Sequence, residues 1–254
     1  MKRLLTLLML ASAAPTSAPS AGASGALILG YVSRPGLAEV IDGKPVGTYL
    51  ETAVAAVEKA GLPYTLQAVT QPRLMAQIAS GQPNYCAVGI FRTPERERSA
   101  RFSQPIYRTP RFVVIGSHSK EAAFRQHKSF VAVVGDPGLK MGMIEGYSHG
   151  NTLDPVIAKM HGNIERYVGT FDQGFAKLAA GRFDYLITFP QEFDSWLTRS
   201  GTSPALFLRL DFPDLLDGVP RHVMCSRAVA EATMQRLDAG IAALHLKLNS
   251  NLNP

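Results

Sequence analysis

The residues most ready for chemistry form the pentapeptide Gly146-Tyr147-Ser148-His149-Gly150. A Gly-x-Ser-x-Gly turn between a strand and a helix is how many hydrolases expose a nucleophilic serine. Asp184 or Asp194 with His222 or His245 would continue the chain order serine, acid, histidine, although residues this common meet such an order by chance. The same turn also suits a binding loop, and Ser148 then serves as a helix cap or turn residue. A second group is the run Arg92-Thr93-Pro94-Glu95-Arg96-Glu97-Arg98. Thr93 can cap a helix, Pro94 can take its first position, and Arg96 then stands in its first turn. By itself such a run of mixed charges reads as a solvated helix face. The six histidines show no His-x-x-x-His spacing, so no metal is expected, and no other cofactor either. Cys86 and Cys225 are the only cysteines. They form either a disulfide or two buried thiols that pack as small hydrophobes.

These groups sit in a chain that opens with Lys2 and Arg3, an apolar run from Leu4 to about Ala14, and then small residues. That is the pattern of a secretory signal peptide spanning residues 1–23, with Ala21-Gly22-Ala23 as the cleavage site and Ala11-Ser12-Ala13 as the alternative. The run is shorter than the ~20 residues that cross a bilayer. No later segment is long and uncharged enough to do so, and no Cys follows the run to carry a lipid. A soluble periplasmic protein is the expectation. About 230 residues then remain, enough for one large domain or two small ones. The formal charge of +6 falls to +4 without Lys2 and Arg3, a mild excess that gives no reason to expect nucleic acid and suits a small anionic ligand.

From Ala26 onward, short apolar runs alternate with capped helical stretches, the pattern of an α/β fold with largely parallel sheets. Strands are predicted at Ala26–Val32, Tyr64–Val69, Tyr85–Ile90, Met141–Ile144, Ile164–Val168, Phe183–Thr188 and His222–Ser226, with further extended runs at Arg111–Ile115 and Ala205–Leu210. Helices are predicted from Thr48, where Thr48-x-x-Glu51 reads as a capping box, and from Pro72 as a first helical residue. Others follow near Ser119–Gln126, Leu153–Met160, Gln173–Ala180, Pro190–Trp196 and, longest, Val229–Leu248. Phe130–Val134 has no pattern that places it.

Three blocks carry a resemblance. Tyr85-Cys86-Ala87-Val88-Gly89-Ile90-Phe91-Arg92-Thr93-Pro94-Glu95-Arg96 through Phe102-Ser103-Gln104-Pro105-Ile106-Tyr107 resembles the family 3 extracellular solute-binding proteins of ABC transporters, with their strand, turn and Thr-x-x-Arg helix start. Lys140-Met141-Gly142-Met143-Ile144-Glu145-Gly146-Tyr147-Ser148 is similar to the strand and glycine turn that open that family's second-lobe binding loop. Leu178-Ala179-Ala180-Gly181-Arg182-Phe183-Asp184 is similar to its Leu-x-x-Gly-x-x-Asp block. The resemblance implies the two-lobed type II periplasmic-binding-protein fold, each lobe a mainly parallel sheet flanked by helices, joined by two crossing strands with the ligand between. Lobe one would take residues 24–110 and 206–254, and lobe two 111–205. The hinge would lie in the crossing segments near Arg111–Ile115 and Ala205–Leu210.

The resemblance also implies roles. Arg96 matches the family arginine that takes the ligand's carboxylate, a task suited to a planar fork that binds two oxygens. Ser148, beside Tyr147, matches a hydroxyl whose neighbouring backbone N–H groups point at that carboxylate. Gly89 and Phe91 fall in the matching first-lobe loop, and Tyr31 falls where an aromatic ring covers the ligand. Arg73 and Arg92 stand at strand-to-helix entries of the cleft. Amino-acid binders of the family carry an aspartate for the ligand's ammonium shortly after the third block. Here Leu186-Ile187-Thr188-Phe189-Pro190 puts Phe189 in that place, with Glu192 or Asp194 as nearby substitutes. The expected function is capture of a small anionic metabolite, an organic acid or amino-acid-like molecule, by a monomer. It would pass that ligand to an inner-membrane permease or report it to a receptor. In this fold Cys86 and Cys225 would be neighbours, and a disulfide would tie together the two segments of lobe one. The rivals are enzymes: the serine hydrolase above, or a dehydratase on the same fold.

Overall fold

The computed structural model describes residues 25–34, 36–159, 163–215 and 218–244. The leader and both cleavage sites, the predicted helix end at Met160, His245 and the last helix beyond Leu244 lie outside the described residues. The chain first lays down β1 (Leu27–Tyr31), a hairpin of β2 (Glu39–Ile41) and β3 (Lys44–Val46), α1 (Thr48–Lys59), β4 (Tyr64–Ala68), α2 (Gln71–Ala79), β5 (Tyr85–Phe91), the single-turn α3 (Pro94–Glu97) and β6 (Ala100–Arg108). There follow β7 (Val113–Ser117), α4 (Glu121–Phe124), α5 (Phe130–Val134), β8 (Met141–Ile144), α6 (Leu153–Ile157), β9 (Ile164–Tyr167), α7 (Phe171–Ala179), β10 (Tyr185–Thr188), α8 (Pro190–Ser200) and β11 (Phe207–Leu210). The chain then returns through β12 (Pro220–Ser226) and α9 (Glu231–Ala243).

Two five-stranded sheets result, ordered β4-β1-β5-β12-β6 and β11-β7-β10-β8-β9. In each, four strands share one direction and a single strand, β12 or β7, opposes its neighbours. The opposed strand is in both cases the one that has just crossed from the other lobe, and it enters its sheet from the far end. The crossings brace each other, for Thr109 N–H donates to the Val219 carbonyl (3.0 Å) and Gly218 N–H to that of Thr109 (2.8 Å). β11 pairs with β7 in the second sheet, and Phe207 packs its ring against Phe193 and Trp196 there. The return crossing therefore follows Leu210 rather than running through Ala205–Leu210.

Period-two alternation explains why every residue of β5 is buried. Cys86 and Val88 join the core under α1 and α9, whereas Tyr85 and Ala87 join the core under α2 with Leu74 and Ile78. Cys86 and Cys225 face each other across β5 and β12 and form a disulfide that closes a sequence separation of 139 residues. Two local expectations change. Thr48 is not a cap: Gly47 precedes the helix without a side-chain cap, and the Leu37 carbonyl accepts the N–H groups of Tyr49 and Leu50 instead. Gln71, not Pro72, opens α2. Phe130–Val134 is a helix. Its first N–H groups, of Phe130 and Val131, donate to Asp214 from the return crossing, a partner no local pattern reveals.

Candidate functional site

In open α/β sheets the ligand groove lies beyond the carboxyl ends of the strands, where the strand order reverses. Here β1 lies between β4 and β5, and β8 between β9 and β10, so both sheets have such a point, and the loops leaving β1, β5, β8 and β10 meet between the lobes. They carry Arg34, Arg96, Tyr147 with Ser148, and Phe189 with Glu192. Tyr49 of α1 and Arg221 of β12 complete the set. At the centre, bounded by Arg34, Tyr49, Gly89, Arg96, Tyr147 and Arg221, only about 20 Å³ is free, room for about one water. Beside it a cavity of about 450 Å³ has Met75, Arg96 and Met224 on one side and Met143, Tyr147, Ser148, Asp154 and Arg166 on the other.

Arg96 lines both spaces. Its backbone N–H donates to the Thr93 hydroxyl (3.3 Å), the cap expected from sequence, and its Nη1 donates to the Phe91 carbonyl (3.0 Å). Burial and the neighbouring Arg221 push its guanidinium below the ordinary arginine range. Arg221 is 2% exposed. It donates to the Gly89 carbonyl (3.0 Å) and the Tyr147 hydroxyl (3.2 Å), and its guanidinium carbon lies 3.3 Å from the centre of the Phe91 ring. Its Nε has no hydrogen-bond partner. Neither arginine pairs with a carboxylate among the described residues. Buried charge without a counter-charge is costly, and an anion between them would relieve it.

Gly89 makes this arrangement fit. Its φ is +73°, and a Cβ there would lie 2.7 Å from the Tyr49 ring, so only glycine presents its carbonyl to Arg221 with Tyr49 so close.

The Ser148 turn is otherwise engaged. The Ser148 hydroxyl donates to Asp154 (2.5 Å), His149 N–H donates to the same carboxylate (2.7 Å), and Gly150 N–H donates to the Ser148 oxygen (3.0 Å). The donors expected to face a ligand carboxylate are thus spent on Asp154, at the head of a helix of five residues. The hydroxyl has no histidine partner among the described residues: His222 bonds the Ser103 carbonyl, and Nδ1 of the buried His149 has no hydrogen-bond partner there. Burial, with Arg221 and Arg34 nearby, pushes His149 down to about 3 and keeps it neutral. Among the described residues the Ser148 hydroxyl is thus held by a carboxylate, Asp154, and not by a histidine.

Arg34, which sequence reasoning passed over, spans the cleft. Its Nε and Nη2 donate to the two Glu192 oxygens at 2.6 and 2.7 Å, a bidentate pair. Glu192 also accepts from the Thr188 hydroxyl (2.9 Å) and Phe189 N–H (3.2 Å). The guanidinium carbon is 4.3 Å from the ring centre of Phe171, 5.3 Å from that of Tyr147, 5.4 Å from Phe189 and 5.7 Å from Tyr49. Burial works against its charge, but Glu192 and the Tyr147 and Tyr49 hydroxyls outweigh it, holding the guanidinium above its usual range. Glu192, the acid nearest to the place where the resemblance implies an aspartate, is therefore occupied. Phe189, in the aspartate's place, stacks on Phe112 at 4.4 Å.

The remaining expected residues divide. Phe91 is buried and forms the floor under Arg221, and Tyr147 lies between the arginines. Tyr31 is buried in the first core and borders neither space, because the cleft's rings come from Tyr49, Tyr147, Phe171 and Phe189. Arg92 is exposed and pairs with Glu97, and Arg73 is exposed on α2 outside both spaces. Arg34 stands three residues beyond Tyr31 and Arg221 three residues before Met224. The strand-end position used to select Tyr31 would have found Arg34 had it been extended past Val32.

Residues 34–134 match the sequence profile of the bacterial extracellular solute-binding proteins, family 3, bearing out the resemblance carried by the first block. No curated protein sequence matches the chain. In three dimensions it is similar to the arginine-, lysine-, histidine-binding protein ArtJ from the thermophilic bacterium Geobacillus stearothermophilus, with TM-score 0.68, 16% identity and coverage of 87% of this chain and 89% of that one. It is also similar to an ancestral arginine-binding protein bound to arginine (TM-score 0.67, 18% identity, 87% and 92% covered). A third is the amino acid ABC transporter substrate-binding protein AbpA from Streptococcus pneumoniae bound to L-arginine (TM-score 0.62, 19% identity, 86% and 89% covered). At such identities the likeness carries the two-lobed fold. Among the described residues no helix is long and apolar enough to cross a membrane.

Proposed function

We propose that this protein is a periplasmic solute-binding protein that captures a small anionic solute, an organic acid or amino-acid-like molecule, between its lobes and hands it to an ABC-type permease. The observation that carries this is the pair Arg96 and Arg221, two guanidiniums on one wall without a carboxylate partner among the described residues, beside a 450 Å³ cavity. Arg96 takes the anionic group in this reading, Arg221 and Tyr147 flank it, and Met75, Met143 and Met224 receive the solute's apolar part. The lobes are the two sheets with their helices, hinged at 109–112 and at the described residues 211–215 and 218–219, and the protein acts as a monomer. A second reading is a guanidinium-bearing amino acid, since ArtJ is an arginine-, lysine-, histidine-binding protein, AbpA and the ancestral arginine-binding protein are seen bound to arginine, and Glu192 sits among aromatic rings. It requires Arg34 to leave that carboxylate. A thermal-shift panel of organic acids and amino acids, followed by calorimetry on the strongest hit, separates the two. Arg96→Ala is expected to weaken an anionic hit roughly 10- to 150-fold, the loss of ~1.5–3 kcal/mol for hydrogen bonds to charge. An unchanged dissociation constant in that variant, or tight binding of arginine by the unaltered protein, refutes the anionic reading.

A further inference from the structure

We infer that Arg34 is the specificity-determining residue of the cleft: its guanidinium is a built-in occupant of a cation cage, and its presence leaves the cleft open to anions. This deepens the proposed function and rests on the interlobe cleft being the solute site. The cage is a complete recognition unit for a guanidinium. Glu192, 0% exposed, accepts from the fork with both oxygens, and the rings of Phe171, Tyr147, Phe189 and Tyr49 surround the charge. The Thr188 hydroxyl and Phe189 N–H hold the carboxylate from behind. The loop after β1 in the first lobe supplies the occupant, whereas Glu192, Tyr147, Phe171 and Phe189 come from the second, so the side chain reaches across the cleft as a bound solute would.

Nothing in this chemistry distinguishes a tethered guanidinium from a free one. The tether decides the competition, because a side chain one loop away is present at an effective concentration near millimolar or above. With Arg34 seated, only about 20 Å³ remains where the loops converge, and the one carboxylate aimed there is neutralised. Of the charges that line this central space, Arg96 and Arg221 are then left for a solute to meet, while Glu95, Asp154 and Arg166 lie along the larger cavity. Remove Arg34 and the sign inverts, for Glu192 then faces an aromatic cavity with no counter-charge, held only by Thr188 and the Phe189 N–H.

Arg34→Ala deletes a fragment with the atoms of ethylguanidinium, which is therefore the probe. Titrating the variant with ethylguanidinium chloride is expected to raise its melting temperature saturably, with half-saturation at roughly millimolar concentration, as a ligand of this size allows. Ethylammonium, lacking the fork, should bind at least about tenfold more weakly. The unaltered protein and the double variant Arg34→Ala/Glu192→Gln should show no saturable response. If Arg34→Ala does not fold alone, refolding with and without the probe is the readout, and recovery only with ethylguanidinium supports the inference. No saturable response and no recovery, or an equal response in the unaltered protein, overturns it. Organic-acid binding by the unaltered protein and by Arg96→Ala, measured alongside, reports on the proposed function separately. Loss of that reading with intact rescue by ethylguanidinium would leave the cage standing.

Discussion

Glu192→Gln tests whether the Arg34–Glu192 pair joins the two lobes as its geometry implies. The side chains are 6% and 0% exposed, so water does not screen them in the closed form. Glutamine keeps an oxygen for Thr188 and Phe189 but removes the charge and turns an amide toward the guanidinium, leaving Arg34 buried and unpaired. Removing one partner of such a pair costs about 3–5 kcal/mol, or roughly 6–20 °C in melting temperature for a chain of this size. The lobes offer an escape that a single core does not. If they part, Arg34 hydrates, and the loss appears as an opened molecule rather than an unstable one. Urea unfolding and small-angle scattering therefore have to be read together, with either a lower midpoint or a larger radius of gyration expected. The double variant Arg34→Met/Glu192→Gln should recover much of any lost stability, because the buried charge is then gone. A single variant with both unchanged midpoint and unchanged radius would show that the pair behaves as an exposed one, worth about 1 kcal/mol or less, and would refute the reasoning.

Three further outcomes follow from other contacts. Reducing the Cys86–Cys225 disulfide, or replacing both cysteines by alanine, should lower stability by about 5 kcal/mol in the chain-entropy treatment of a 139-residue separation, read from the shift in urea midpoint; a midpoint unmoved by reductant contradicts it. His149 titrates near 3 in the folded protein because burial and two arginines oppose its charge, against about 6.5 when unfolded. The unfolded chain then binds the extra proton between those values, so this contribution is present above about pH 6.5 and is lost as pH falls toward 3, at up to about 1.4 kcal/mol per pH unit. Stability curves at several pH values should flatten in His149→Asn, and equal slopes in both proteins would count against this. Gly89→Ala should cost at least ~1–2 kcal/mol, since it places a side chain at φ +73° and 2.7 Å from Tyr49; a urea midpoint equal to the parent's would contradict the packing described.

The local parts of the fold are legible in the residues that form them. Hydrophobic period and end signals act over a few residues, and they located the strands at Leu27, Tyr64, Tyr85, Met141, Ile164 and Tyr185 as well as the Thr93–Pro94 start that sets Arg96 at the cleft. The family resemblance, not these signals, implies an aspartate shortly after the Leu178–Asp184 block, where this chain has Phe189. Even local signals failed where the partner was distant: α1 takes its first contacts from Leu37 rather than from Thr48, and α5 begins on Asp214. Only the tertiary structure could decide which polar groups were already satisfied. Ser148 reads as open to a ligand until Asp154 accepts hydrogen bonds from its hydroxyl and from the neighbouring N–H. Arg34 looked unremarkable until the second lobe brought Glu192 to it across 158 residues, and Arg221 until β12 set it over Phe91 beside the Gly89 carbonyl, 132 residues away. Burial and pairing depend on how two sheets dock, and that information is spread over the whole chain rather than written near the residues it governs.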